Sequence, residues 1–208
     1  NLGNVLRDLG KLQEAELSTR KAIEINPDFA MAHSNLGNVL RDLGKLQEAE
    51  LSQRKAIEIN PDFAVAHSNL GIILRDLGKL KEAELSQRKA IELNPDFADA
   101  QLNLGMILKD LGKSQEAFDC YIKAIEINPT VSYIYPIVTR FLRNSDPSQL
   151  NELQLQYILN LLLEKNNIPH QELFKAFDFL YSSEIINSLE KFKSDYHKQD
   201  SLTIFKKD

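Results

Sequence analysis

The chain has 208 residues, a net charge of -5 and a single cysteine, with hydrophobic content of 43% and charged content of 26%, the profile of an ordinary folded protein. The charge is evenly spread, so no basic stripe marks a nucleic-acid partner, and no apolar run nears the roughly 18 residues of a membrane span. Cys120 alone forms no internal disulfide, which suits a reducing, cytoplasmic setting.

The opening segment, NLGNVLRDLGKLQEAE from Asn1, returns unchanged at Asn35 through Glu50. A near-copy starts at Asn69 and a looser one at Asn103, so the period is 34 residues. Other landmarks keep step: Gly10, Gly44, Gly78 and Gly112; Ala15, Ala49, Ala83 and Ala117; Pro27, Pro61, Pro95 and Pro129. Each unit reads as two helices. In the unit from Ala30, the first helix carries Leu36, Gly37, Val39 and Leu40 and stops at Gly44, a residue suited to a left-handed helix end. The second carries Leu46, Ala49, Ala56, Ile57 and Ile59 and stops at Asn60-Pro61, because proline cannot continue a helix. Small residues at Gly37, Ala49 and Ala56 mark where the two helices approach closely. A pair this short buries its apolar face only by stacking on the next, which gives a quasi-linear solenoid.

These landmarks resemble the tetratricopeptide repeat (TPR) family over residues 1–130, about four repeats with the first incomplete. The resemblance implies an all-α, right-handed superhelical solenoid of helix–turn–helix repeats whose first helices line a concave face. One departure is the scarcity of aromatics: His33, His67 and Gln101, and Thr19, Gln53 and Gln87, stand where the family often has them.

After Pro129 the pattern breaks. Residues 131–145 read as a capping or bridging helix, with Thr139 in place of the packing glycine. Residues 146–208 read as a helical C-terminal segment. Asp146-Pro147 is a cap and first-turn proline for a helix with an apolar stripe at Leu150, Leu153, Tyr157, Ile158, Leu161 and Leu162. Pro169 starts another, with Leu173, Phe174, Phe177, Leu180 and Tyr181, whose aromatics read as core; a further one carries Ile185, Ile186, Leu189 and Phe192. The segment LFKAFDFLYSSEIINSLEKF resembles the region after the repeats in bacterial, notably cyanobacterial, TPR proteins with a downstream transferase domain. The chain starts inside a repeat without methionine, and LTIFKKD at its end looks like the start of something, so both ends read as boundaries within a longer protein.

No residue set for catalysis, metal or cofactor stands out. Gly112-Lys113-Ser114 lacks the glycine five residues earlier that a phosphate loop needs, Ile107 being there, and no strand precedes it. His33 and His67 sit on neighbouring repeats, roughly 8–10 Å apart by helix packing, and no acidic or cysteine partner recurs beside them. Cys120 has no fixed histidine partner and reads as a small buried hydrophobe. The expectation is therefore a non-enzyme without metal or cofactor.

The recurrent asparagine is the functional lead. By the family's geometry, the second, fifth, sixth, ninth, twelfth and thirteenth places of each repeat face the groove. Asn35, Asn69 and Asn103 hold the sixth place; Asn38, Ile72 and Met106 the ninth; Arg41, Arg75 and Lys109 the twelfth; Asp42, Asp76 and Asp110 the thirteenth. A side-chain amide offers two donors and an acceptor, enough to bond both polar groups of a peptide unit. Helices about 10 Å apart and a strand rise of about 3.3 Å let each asparagine serve about every third residue of an extended peptide. The row resembles the asparagine ladder in the TPR lumen of O-GlcNAc transferases, with Asp99 alone matching their second-place aspartate. Arg41 and Arg75 would add electrostatic trim. A structural role for the asparagines, in bonding between helices, is the alternative. The cationic clamp for C-terminal carboxylates is absent, since its places hold Met31, Ser34, Asn35, Val65, Ser68 and Asn69. The expected function is a protein-interaction module for a peptide or protein partner. An alternative is the substrate-recruiting arm of a transferase. The incomplete first repeat also offers a surface for self-association.

Overall fold

The computed structural model describes residues 2–130, 132–165 and 169–182. Every regular element among them is helical. The chain divides into two compact units, residues 1–131 and 132–208.

The first unit is four helix pairs: α1 (Leu2–Asp8) with α2 (Leu12–Ile25), α3 (Ala30–Asp42) with α4 (Leu46–Ile59), α5 (Ala64–Asp76) with α6 (Leu80–Leu93), and α7 (Ala98–Asp110) with α8 (Ser114–Ile127). The 34-residue punctuation explains each boundary. Gly44 sits at φ +75°, which lets its N–H reach Arg41 C=O at 2.9 Å while Lys45 N–H reaches Leu40 C=O at 2.8 Å; the two bonds satisfy carbonyls that the helix end leaves open. At the other turn, Asn60 Oδ1 accepts from Asp62 N–H at 3.2 Å. His67 Nε2 then donates to Pro61 C=O at 2.8 Å, and His33 does the same to Pro27 at 2.8 Å. The two histidines are turn clasps, in keeping with a packing role.

Between the helices of a pair the small residues do what their size allows. Ala49, Ala56, Ala83 and Ala90 are fully buried, and Gly37 and Gly71 lie against Gln53 and Gln87. Between pairs, apolar clusters cross each boundary: Leu36, Leu40, Ala49 and Ile73, flanked by Ile23 and Leu77, then Leu70, Leu74, Ala83 and Ile107, flanked by Ile57 and Leu111. At the amino end, α1 and the turn after it leave Leu2, Val5 and Leu9 exposed.

Consecutive first helices touch directly, α1 with α3, α3 with α5 and α5 with α7, while consecutive second helices do not meet to a comparable extent. The first helices therefore line the tighter, inner side of the array. The wider spacing outside is bridged by long charged side chains. Glu50 accepts from Arg54 at 2.8 Å and Lys79 at 2.8 Å, and Arg54 reaches on to Glu82 at 3.1 Å. The same pattern joins Glu16 to Arg20 and Lys45 and Glu84 to Arg88 and Lys113.

The lysine bond is the main influence holding the Glu16 and Glu50 carboxyls below their ordinary pKa, against opposing desolvation and with help from the arginines. At Glu84 desolvation is the largest influence and raises the pKa, but Arg88 and Lys113 together outweigh it. A carboxyl whose folded pKa is depressed contributes stability above its unfolded pKa and loses it as pH falls through the folded value. Thermal midpoints are expected to hold from pH 7 to about 5 and to drop below about 4. Lys79→Gln, which removes the main partner of Glu50, should shift the acid side of that profile to higher pH, measured by circular dichroism melts; an unmoved profile would show that these networks do not govern acid stability.

In the second unit, α9 (Ile134–Asn144) buries Ile134, Tyr135, Val138, Phe141 and Leu142. Thr139, at the former glycine place, turns its hydroxyl back to Tyr135 C=O at 2.9 Å. The helix expected to begin at Pro147 starts later. Asp146 caps only a 3₁₀ turn, Pro147–Gln149. Leu150 is then extended, and α10 (Glu152–Leu163) starts with Asn151 as its cap, whose Oδ1 accepts from Gln154 N–H at 3.0 Å. That new start sets the face: Leu155, Ile158, Leu159 and Leu162 are buried, while Leu153 and Tyr157 of the expected stripe are exposed. Pro169 leads into a second 3₁₀ turn, His170–Leu173, and residues 174–182 are helical. Leu173 and Ala176 are buried there, but Phe174 is 70% exposed and Phe177 and Phe179 are exposed too, so the aromatics are not the core they were expected to be. Phe177 stacks on Tyr181 at 4.6 Å. The expected helix at Ile185, Ile186, Leu189 and Phe192, the closing LTIFKKD, and Asn1 lie outside the described residues.

Candidate functional site

The inner face is built from one strip of each first helix, repeated on α3, α5 and α7. Residues at the second, sixth, ninth and twelfth places share that strip because they are four, three and three positions apart on a helix. On it lie Met31, Asn35, Asn38 and Arg41 of α3, Val65, Asn69, Ile72 and Arg75 of α5, and Asp99, Asn103, Met106 and Lys109 of α7.

The asparagines are tied into the joints between repeats. Asn69 Nδ2 donates to Ser34 Oγ at 3.2 Å, and Asn103 Nδ2 donates to Ser68 Oγ at 3.4 Å. This uses one amide hydrogen of each; the second hydrogen and Oδ1 carry no hydrogen bond among the described residues. Both side chains are half-buried. Asn35 differs. It is 6% exposed, and its Nδ2 has no partner among the described residues. Asn38 is half-buried, and its Oδ1 accepts from Gln53 Nε2 at 3.1 Å.

The fifth-place serines, which sequence reading put on this face without a role, and the second-helix glutamines, which it did not assign to the face, hold it in place. Ser34 and Ser68 are buried, and their backbone carbonyls accept from Gln53 Nε2 at 2.9 Å and Gln87 Nε2 at 2.8 Å. Gln53 and Gln87 are fully buried. The signal was present as co-occurrence: serine at the fifth place accompanies glutamine in the second helix, while Leu102 accompanies Tyr121.

The charged rows pair across repeats. Arg7 bonds Asp42 at 2.5 Å, Arg41 bonds Asp76 at 2.6 Å, and Arg75 bonds Asp110 at 2.6 Å. Arg41 and Arg75 are thus bound to the protein's own carboxylates. Asp99 is exposed in the first turn of α7. The described residues contain no group of His, Cys, Asp and Glu fit to hold a metal. Cys120 lies on α8, where burial pushes its thiol up to about 11, far from the thiolate a nucleophile needs. No described helix is long and apolar enough to cross a membrane.

Sequence profiles of the tetratricopeptide repeat match residues 28–96 and 98–131, and a TPR repeat profile matches residues 3–44. No curated protein sequence matches the chain. Among solved structures, PilF of Pseudomonas aeruginosa is similar at TM-score 0.69 and 20% identity, over 96% of this chain and 94% of that one. YrrB, described as a TPR protein with an unusual peptide-binding site, is similar at TM-score 0.61 and 23% identity, over 86% of this chain and 89% of that one. The first TPR domain of Spaghetti (RPAP3), bound to the HSP90 peptide SRMEEVD, is similar at TM-score 0.51 and 24% identity, over 54% of this chain and 89% of that one. The likeness is one of fold. With the 34-residue punctuation, the stacked helix pairs and matches that together run from residue 3 to 131, the chain belongs to the tetratricopeptide repeat family.

Proposed function

We propose that the chain is a protein-interaction module that holds an extended peptide along the inner face of its array. The observation that carries this reading is the state of Asn69 and Asn103. One amide hydrogen fixes each side chain to the preceding repeat, and the remaining hydrogen and the oxygen are left to meet a peptide unit. An amide already oriented by a serine loses less side-chain freedom on binding, which favours affinity. That YrrB has a peptide-binding site and RPAP3 binds an HSP90 peptide supports a peptide role for this shape. The carboxylate clamp is not part of the reading, because Ser34, Asn35, Ser68 and Asn69 replace its cations.

The test uses peptides selected on the whole chain from a random nonapeptide display library. Asn69→Ala with Asn103→Ala should weaken binding by about tenfold or more, the loss of two hydrogen bonds. Ser34→Ala with Ser68→Ala removes the anchors but keeps the amides, and should cost only a few-fold. Equal affinity for the asparagine variant and the wild type, with helicity intact, would leave these side chains as joints between repeats and nothing more.

A further inference from the structure

We infer that the occupant of this face is an extended peptide without charged side chains along its central stretch; the inference rests on the peptide-binding reading above and names its ligand class. The reason is the way the face disposes of its own charge. Each twelfth-place arginine is committed to the thirteenth-place aspartate of the next repeat, Arg41 to Asp76 at 2.6 Å and Arg75 to Asp110 at 2.6 Å. The pairs lie on the face itself, partly exposed, so a bound chain passes over them. Each presents a dipole and no net charge. The other groups on this strip of α3 and α5 are amides and apolar side chains. Met31 and Val65 are 42% and 43% exposed, Ile72 and Met106 are half-buried, and Met106 Sδ lies 4.0 Å from Arg75 Nη1.

A carboxylate or ammonium brought onto this surface would be stripped of water without gaining a counter-ion, or would have to displace a partner already in place. An uncharged side chain meets neither penalty. Small apolar ones gain contact with Met31, Val65 and Ile72, while the backbone meets the amides. Asp8 and Lys109 carry no ion pair among the described residues. Asp99 and Lys109 are ten residues apart on α7, about 15 Å by helix rise, beyond the Debye length of about 8 Å at physiological salt. The strip's remaining charge is thus confined to its α7 end, away from the stretch on α3 and α5, and salt screens it there.

The experiment measures fluorescence anisotropy of labelled nonapeptide pools on the intact chain. One pool is built from Ala, Ser, Thr, Val and Gln; two others carry a pair of central Glu or of central Lys residues. The uncharged pool should bind about tenfold tighter than either charged pool, with a change of less than about twofold between about 50 and about 500 mM salt. Asp76→Asn leaves the Arg41 guanidinium without its partner, so the Glu pool should gain about fivefold at low salt and lose the gain at high salt. Adding Arg41→Gln should restore the preference for uncharged peptides. Tightest binding of a charged pool by the wild type, with steep salt dependence, would overturn the selectivity and leave peptide binding standing. No binding of any pool would overturn peptide binding itself, and this inference with it.

Discussion

Replacing Leu74 by alanine is expected to destabilise the array by about 3–5 kcal/mol and to split its urea transition in two. Leu74 is 1% exposed and packs in the cluster of Leu70, Ala83 and Ile107, with Ile57 and Leu111 beside it. Those residues come from α4, α5, α6 and α7, with Leu111 at the end of α7, so the cluster joins both helices of this repeat to the repeats on either side. A globular core would spread such a loss over many neighbours. A linear array cannot, because each repeat is stabilised only by itself and its immediate neighbours. The polar links between α5 and α7 are the Arg75–Asp110 pair and the long Asn103–Ser68 hydrogen bond, and exposed ion pairs and single hydrogen bonds contribute only about 1 kcal/mol each. Circular dichroism at 222 nm should therefore show one part of the helix melting ahead of the rest. Leu85→Ala is the matched control: the residue is a leucine in the next helix but 68% exposed, and its cost should stay near 0.5 kcal/mol, the usual range for surface changes. A single, little-shifted transition for Leu74→Ala would mean that the repeats are coupled by something other than this cluster.

The repeat units were legible because their punctuation is local. Gly44 needs only its own left-handed backbone, and Asn60-Pro61 ends a helix whatever lies around it. The inner face was legible as a set of places but not as a set of bonds. Arg41 and Asp42 are adjacent in sequence, yet neighbours on a helix do not face each other, and the partner of Arg41 proved to be Asp76, one repeat on. Likewise Asn69 finds Ser34 and not a group of its own repeat. Such pairings depend on how far each repeat is rotated against the last, which arises from the packing of the cluster residues and is not written in any one unit. The second unit was harder for a different reason. Without a period, the start of α10 rested on a cap, and two caps five residues apart, Asp146 and Asn151, competed. The later one took the helix, and with it the burial of the apolar stripe rotated.

The same packing logic makes Gly105→Ala the second damaging change, although alanine is the better helix former by about 1 kcal/mol. A methyl group at Gly105 would stand 2.5 Å from Tyr121 Cε1 and 2.7 Å from its Cδ1, with Ala117 C=O at 3.1 Å behind. Tyr121 is 1% exposed, and a buried ring moves only with its surroundings. Overpacking of this kind costs about 1–3 kcal/mol, occasionally more, and contacts this close to a buried ring put the cost at the upper end, so a net loss of up to about 2 kcal/mol remains after the gain in propensity. At Gly37 the same methyl meets the end of Gln53, Nε2 at 2.7 Å. That flexible amide can withdraw by giving up its bonds to Ser34 C=O and Asn38 Oδ1, worth about 1 kcal/mol each, so after the gain in propensity Gly37→Ala should cost only about 1 kcal/mol. The two alanines thus separate a rigid neighbour from a yielding one at equivalent places. A double-mutant cycle completes the test: with Tyr121→Leu in place, Gly105→Ala should cost at least about 1 kcal/mol less than it does alone, since contacting residues couple on that scale. Strict additivity in the cycle would show that the methyl and the ring never compete for the same space.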